Sequence, residues 1–145
     1  MQQTTRLPRA AAVLGYGGLV PFIAGAVAVW PPAIDPAMVA RVFTAYGAAI
    51  LAFLGGLQWG IALLVRDERF GERLAVGVLP ALVAWVALLL PLPAGPLLLA
   101  AAFVALLAWE RQRAPTELPS WLGRLRLQLT AVVVACHVIV VIAIA

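Results

Sequence analysis

Residues 74–109 contain no charged side chain, and the turn sequence from Pro91 to Pro96 interrupts them. The stretch is too long for one membrane-spanning helix, which needs about 20 apolar residues. It therefore predicts a helical hairpin inside a lipid bilayer. The whole chain has the same character, because 65% of its residues are hydrophobic and only 11% are charged. Soluble domains carry about 25% charged residues, so no water-soluble fold suits this composition.

The alternation of apolar runs with charged or proline-rich breaks predicts one all-α, polytopic membrane domain over residues 1–145. We expect five transmembrane helices, over about residues 10–30, 37–65, 74–90, 96–110 and 122–145. A positive leader before the first apolar run is also typical of a cleaved signal peptide. We favour a retained span because that run is long, and we expect Pro21 to kink it.

The arginines predict the orientation of the chain in the membrane. All ten basic residues are arginines, and with five spans every one except Arg41 belongs to the same side. The positive-inside rule then places the N-terminus in the cytoplasm and the C-terminus outside. No basic stretch is interleaved with aromatic residues, which argues against nucleic-acid binding. The expected partners are the lipid bilayer of a bacterial inner membrane and another membrane protein or complex.

Small side chains recur at every fourth position of the second span, from Thr44 to Gly60. Residues four apart share one face of a helix, and small residues there let two membrane helices approach closely. The packing residues predicted from such spacing are Ala48, Ala52, Gly56 and Gly60, with Gly15 and Gly18 in the first span. Gln58 lies on the opposite side, where an amide facing lipid would be costly. The second span is therefore expected to be central.

Few residues have the chemistry of a catalytic or metal site. No HExxH, GxSxG, phosphate loop, CxxC or carboxylate pair occurs, so we expect no enzyme activity. The single cysteine, Cys136, excludes an internal disulfide and a cysteine-built metal site. His137 is the only histidine, which excludes a bis-histidine haem within one chain. No metal or cofactor is expected.

His137 is nevertheless the strongest candidate, because an ionisable side chain inside a span indicates a functional site by default. The alternative is a structural role, as a neutral imidazole hydrogen-bonded to a neighbouring helix. It lies eleven residues from Arg126, and Gln58 lies eight residues from Arg66, which gives depths of about 16 Å and about 12 Å. We therefore expect the second and last spans to be neighbours, with Gln58 and His137 facing a shared interior. Together with Trp59 they are the predicted ligand-binding residues. Glu110 is expected to be a solvated helix end.

The octet Phe53-Leu54-Gly55-Gly56-Leu57-Gln58-Trp59-Gly60 resembles a motif of a family of small bacterial inner-membrane proteins of unknown function. That family has a relative among mitochondrial transmembrane proteins. The resemblance implies a multi-pass membrane protein without an assigned reaction. Some members carry histidine where this chain has Gln58, and this departure argues against a metal or haem ligand at that position.

Two functions are compatible with these observations. The leading hypothesis is a non-enzymatic membrane protein that packs with, assembles or stabilises a larger inner-membrane complex, such as a respiratory one. The alternative is a small carrier or binding module for a hydrophobic ligand such as a quinone or a lipid. A pocket between the helices would favour the alternative, whereas a dry and tightly packed interior would count against it.

Overall fold

A computed structural model describes residues 7–145, and these residues contain helices and turns but no strand. The helices in chain order are α1 (Arg9–Gly17), α2 (Val20–Ala28), α3 (Pro36–Val65), α4 (Phe70–Leu89), α5 (Ala94–Arg113) and α6 (Ser120–Ile144). α1 and α2 together form one apolar segment, so the described residues contain five segments long and apolar enough to cross a membrane. The predicted all-α, five-span architecture is confirmed. Arg6, in the predicted leader, lies outside the described residues.

Local sequence explains where the helices begin and break. α3 begins at Pro36 because Asp35 caps it, accepting a hydrogen bond of 3.0 Å from the backbone N–H of Ala37. It ends at Val65, because the next residue, Arg66, has a left-handed φ of 47° that cannot continue the helix. The first span breaks at Gly18 and Leu19, between α1 and α2, and Pro21, whose ring nitrogen has no hydrogen to donate, is the second residue of α2.

α3 is the central helix of the bundle. It contacts α2, α4, α5 and α6, and its contact with α4 is the most extensive. Leu51 in the middle of α3 is fully buried, and Ala40 and Phe43 near its start are buried as well. An apolar helix covered on several faces is inside the protein, whereas one covered on a single face borders lipid. The remaining spans are therefore arranged around α3.

The closest helix approach does not use the glycines predicted from the four-residue spacing. Gly56 and Gly60 are exposed, and a Cβ built on either would meet nothing within 4 Å. The prediction that these two residues pack helices of this chain is wrong. The crossing of α3 and α4 instead uses Gly55 and Gly77, because a Cβ on Gly77 would lie 2.9 Å from the Gly55 carbonyl oxygen. Thr44 and Ala48 of the predicted stripe are buried and Ala52 is half-buried.

The glycines of the first span lie beside two other helices. A Cβ on Gly15 would be in ordinary contact with Leu129 of α6, at 3.4 Å from its Cδ1. The carbonyl oxygen of Gly18 accepts a hydrogen bond of 2.9 Å from the Tyr46 hydroxyl of α3. That oxygen belongs to the break between α1 and α2, so this hydrogen bond ties α3 to the break.

Gly55→Leu and Gly56→Leu form a matched pair that tests the α3–α4 crossing. Leucine at position 55 must displace the α4 backbone at Gly77, and such overpacking costs about 1–3 kcal/mol. Leucine at position 56 points away from every other helix and should change the stability by no more than about 0.5 kcal/mol. Unfolding of the purified variants by SDS titration in mild detergent measures both changes. Equal losses at the two positions would contradict this crossing.

The orientation remains a prediction that reporter fusions can test. Alkaline phosphatase fused after Ala145 should be active, because it folds only outside the cytoplasm and the arginine-rich loops should be inside. A green fluorescent protein at the same position should not fluoresce. Fusions after Pro115, in the loop between α5 and α6, should give the reverse result. A cytoplasmic C-terminus would overturn the predicted orientation.

Candidate functional site

Three polar side chains from α3, α5 and α6 meet inside the bundle near its arginine-rich end. Gln58 donates a hydrogen bond of 2.7 Å from Nε2 to Oε1 of Glu110. Arg126 donates from Nε to Oε2 of Glu110 at 3.1 Å and from Nη2 to Oε1 at 3.2 Å. Gln58 is only 2% exposed and Arg126 only 8%. We call this group the Gln58–Glu110–Arg126 cluster.

The cluster corrects the expectation that Glu110 is a solvated helix end. Its carboxylate is largely buried and forms a fork-like pair with the Arg126 guanidinium, the geometry in which arginine binds carboxylates most strongly. The reason is that α6 begins at Ser120, so Arg126 lies inside a span and needs a counter-charge there. The sequence of this segment does not distinguish a solvated loop end from an inward-paired charge, because the start of α6 at Ser120 is a structural observation.

A second set of polar contacts joins the loops at the same end. Arg73 of α4 is 2% exposed, and its Nη2 donates to Asp67 at 2.9 Å and to the carbonyl oxygen of Arg113 at 3.0 Å. The hydrogen bond from Arg73 lowers the pKa of the Asp67 carboxyl. The stabilising effect of this pair is therefore complete above the ordinary pKa of aspartate and is lost as the pH falls through the lowered value. Glu72 accepts from Arg113 and from the Trp109 indole, both at 3.1 Å.

A cavity of about 160 Å³ lies beside the Gln58–Glu110–Arg126 cluster. Its walls come from α3, α5, the loop between α5 and α6, and the start of α6, and Arg73 contributes from α4. The lining residues include charged and amide-bearing side chains as well as aliphatic ones such as Leu57, Ile61 and Leu107. A few polar groups in a mainly apolar cavity are typical of small-molecule sites.

His137 lies elsewhere, among the aromatic rings of the bundle interior. Its side chain is 0% exposed, and its ring lies 4.7 Å from Phe43 and 5.6 Å from Phe103 between centroids. Phe22 lies on a further side, at 5.7 Å. Nδ1 donates to the Val133 carbonyl oxygen at 2.8 Å, which leaves Nε2 as an acceptor without a hydrogen-bond partner.

The predicted shared interior for Gln58 and His137 is wrong. α3 and α6 are neighbours, but His137 faces α3 at Gly47, where a built Cβ would lie 3.2 Å from Nε2. The error has a physical cause. Arg126 was treated as an anchor at the membrane boundary, yet it bonds the same carboxylate as Gln58. His137 is eleven residues further along α6, which is about 16 Å beyond the level of Gln58.

Trp59 also lies away from the cavity. It is exposed, and its indole Nε1 donates to the carbonyl oxygen of Leu74 at 3.0 Å, which fixes the ring against α4. A Cβ on Gly77 would collide with this ring. Of the three predicted ligand-binding residues, the structure therefore places only Gln58 at the cavity. Within residues 7–145, no group of three or more His, Cys, Asp or Glu side chains is arranged to hold a metal ion.

Comparison with known proteins relates the chain to uncharacterised membrane proteins. A family model described as protein of unknown function (DUF3429) matches residues 7–142. Transmembrane protein 69 of Xenopus tropicalis is 34% identical to the chain over 131 residues, which is 88% of this chain and 51% of that protein. The chain thus spans about half the length of this curated relative. No solved structure matches it.

Removing one partner of the Glu110–Arg126 pair should be strongly destabilising. Glu110→Leu leaves a buried guanidinium without a counter-charge, which costs about 3–5 kcal/mol. The double variant Glu110→Leu/Arg126→Met should be more stable than Glu110→Leu, because it removes both buried charges together. Glu68→Gln, at an exposed carboxylate, is the control and should change stability by no more than about 0.5 kcal/mol. A double variant less stable than the single one, measured by SDS titration, would contradict this reading.

The volume of His137 should matter more than its nitrogen atoms. His137→Ala opens a space among three phenylalanine rings and should cost about 2–5 kcal/mol. His137→Leu refills most of that space and removes the unpaired Nε2, so its cost should stay below about 1.5 kcal/mol. Both losses can be read from the same unfolding titration. If leucine lowered the unfolding free energy as much as alanine does, the role of His137 would depend on a hydrogen bond of its imidazole and not on its volume.

Proposed function

Because the chain belongs to the DUF3429 family of proteins of unknown function, we propose a function from the geometry of its site. The protein is a multi-pass integral membrane protein. We propose that it binds an amphiphilic molecule in the cavity beside the Gln58–Glu110–Arg126 cluster and that it does so without catalysing a reaction. We further propose that it resides in a bacterial inner membrane, with this cavity at the cytoplasmic side.

The cavity itself is the observation that carries this proposal. Its wall combines charged or amide-bearing side chains with aliphatic ones, which suits a molecule that has both a polar and an apolar part. The polar residues are held rigidly, because Glu110 is bonded by both Gln58 and Arg126. Groups positioned before the ligand arrives lower the entropic cost of binding.

Gly123 allows the cavity to be filled without disturbing the fold. It lines the cavity, and a Cβ built on it would meet nothing within 4 Å. Gly123→Trp should therefore occupy the site from inside. Gly71→Trp is the matched control, because Gly71 is equally open but does not line the cavity. The parent protein and both variants would be purified in mild detergent, and their co-purifying lipids and quinones would be identified by mass spectrometry.

We expect the parent and Gly71→Trp to retain the same amphiphile and Gly123→Trp to lose at least about nine-tenths of it, since one ring fills the space. Unchanged unfolding midpoints would confirm that the loss is local. Equal retention of every amphiphile by all three proteins would overturn the proposal.

A second candidate function is the assembly or stabilisation of a larger membrane complex. The observation that favours it is the open surface of α3 at Gly56 and Gly60, where a Cβ would meet no atom of residues 7–145 within 4 Å. Small residues four apart on a membrane helix favour close contact with another helix. Photo-crosslinkers placed at Phe53 and Leu64, which are exposed on the same helix, should capture a membrane protein in native membranes. Gly56→Leu should abolish that product without lowering the stability of the purified protein, and a product unaffected by Gly56→Leu would contradict this function.

A further inference from the structure

The amide oxygen of Gln58 has no hydrogen-bond partner. Gln58 donates from Nε2 to Glu110, whose carboxylate is paired with the Arg126 guanidinium. An ionised carboxylate only accepts hydrogen bonds, so the amide must turn its nitrogen toward Glu110 and its oxygen away. Within residues 7–145, that oxygen accepts no hydrogen bond. An unpaired acceptor thus remains in a side chain that is only 2% exposed.

This oxygen is accessible from the cavity. The fully enclosed side-chain nitrogen and oxygen atoms without a hydrogen-bond partner in residues 7–145 are Arg73 Nε, Thr130 Oγ1 and His137 Nε2. Gln58 Oε1 also has no partner, but it differs from these three atoms because it keeps some accessible area. Gln58 lines the cavity and is buried on its other sides, so that area opens into the cavity.

The buried charges of the cavity wall are compensated. Arg73 is paired with Asp67, and Arg126 is paired with Glu110. Arg111, the remaining arginine of the lining, is exposed. The buried part of the wall therefore does not select a charged group, and a neutral polar group enters such a site at a lower desolvation cost than an ion.

We propose that the ligand is a neutral amphiphile whose polar end is a hydroxyl group that donates a hydrogen bond to Gln58 Oε1. This inference rests on the proposed function and adds the chemical class of the ligand. A buried amide oxygen without a donor is costly, and an O–H group supplies the donor. A carbonyl or ether oxygen only accepts, so it would leave Gln58 Oε1 unbonded. A hydroxyl can also accept, so it is compatible with the guanidinium groups of the wall.

Two kinds of membrane amphiphile carry such a hydroxyl. A quinol has it on an aromatic ring, and a diacylglycerol has it on an aliphatic carbon. Both molecules are otherwise largely apolar, which suits the aliphatic lining at Leu57, Ile61 and Leu107. The acceptor at Gln58 recognises the hydroxyl in either molecule, so the experiment includes both.

Native mass spectrometry of the parent protein in one neutral detergent measures the effect of the hydroxyl. Decylubiquinol, kept reduced under nitrogen, would be compared with decylubiquinone, and dioctanoylglycerol with its O-methyl ether. Each affinity is corrected for the share of the ligand held by protein-free micelles. We expect the hydroxyl form of at least one pair to bind about three- to tenfold more tightly, which is the effect of one neutral hydrogen bond. The pair that shows this preference identifies the source of the hydroxyl.

Gln58→Met tests whether the preference depends on the amide oxygen. Methionine has a similar length but no comparable acceptor, so the ratio of the two affinities should fall to about one. Gln128→Met is the matched control, because Gln128 is exposed on α6 and does not line the cavity. It should keep the ratio of the parent. A loss of structure would weaken both ligands of a pair together, so the ratio separates recognition of the hydroxyl from a purely structural role of Gln58.

Each other outcome overturns a defined part of the proposal. If both members of each pair bind the parent equally, or the quinone and the ether bind more tightly, the hydroxyl inference is wrong and the proposed function stands. This comparison needs no variant, so it is decisive even if Gln58→Met folds poorly. A hydroxyl preference that persists in Gln58→Met would overturn the assignment to Gln58. Failure of all four amphiphiles to bind the parent would overturn the proposed function together with this inference.

Discussion

The pair formed by Glu110 and Arg126 fixes the arrangement of the bundle. A charge inside a membrane helix is tolerated when a partner of opposite charge compensates it and further hydrogen bonds complete the pair. Here the partners come from α5 and α6, and Gln58 adds α3 through the same carboxylate. If α3, α5 or α6 turned about its own axis, a buried polar group would lose its hydrogen bond. The cluster therefore fixes the orientation of each of these helices about its axis, with α3 at the centre.

The spans could be predicted from the sequence because a span depends on local composition. The helix limits depend on short segments, such as the uncharged runs, the Asp35 cap and the break near Pro21. These features define the helices whatever the positions of the neighbouring helices. The helix contacts depend on rotation and crossing angle. Gly55 and Gly56 are adjacent in sequence and about 100° apart around α3, and only the first faces α4. Spacing alone favoured the wrong glycine.

The candidate site was predicted only in part for a related reason. Gln58 was recognised because an amide inside a span is conspicuous, whereas Glu110 and Arg126 sit near arginine-rich loops and were assigned to them. A charged residue close to a boundary can be solvated or paired inward, and its own segment does not distinguish the two. The depth of His137 was then misjudged, because Arg126 had been taken as a surface anchor. Because the Glu110–Arg126 ion pair was not recognised, Glu110 was left out of the predicted site and His137 was wrongly predicted to share an interior with Gln58.

The interior beyond the cavity favours a binding module over a carrier. At the level of His137, the centre of the bundle is filled by the imidazole and the rings of Phe22, Phe43 and Phe103, all nearly or fully buried. Close packing of this kind leaves no passage for a molecule the size of a lipid or a quinone. A carrier would have to separate these rings in each transport cycle, although Phe22, Phe43 and Phe103 belong to three different spans. A ligand entering from the arginine-rich end would meet this layer, so the packing is compatible with the proposed binding site and not with transport through the bundle.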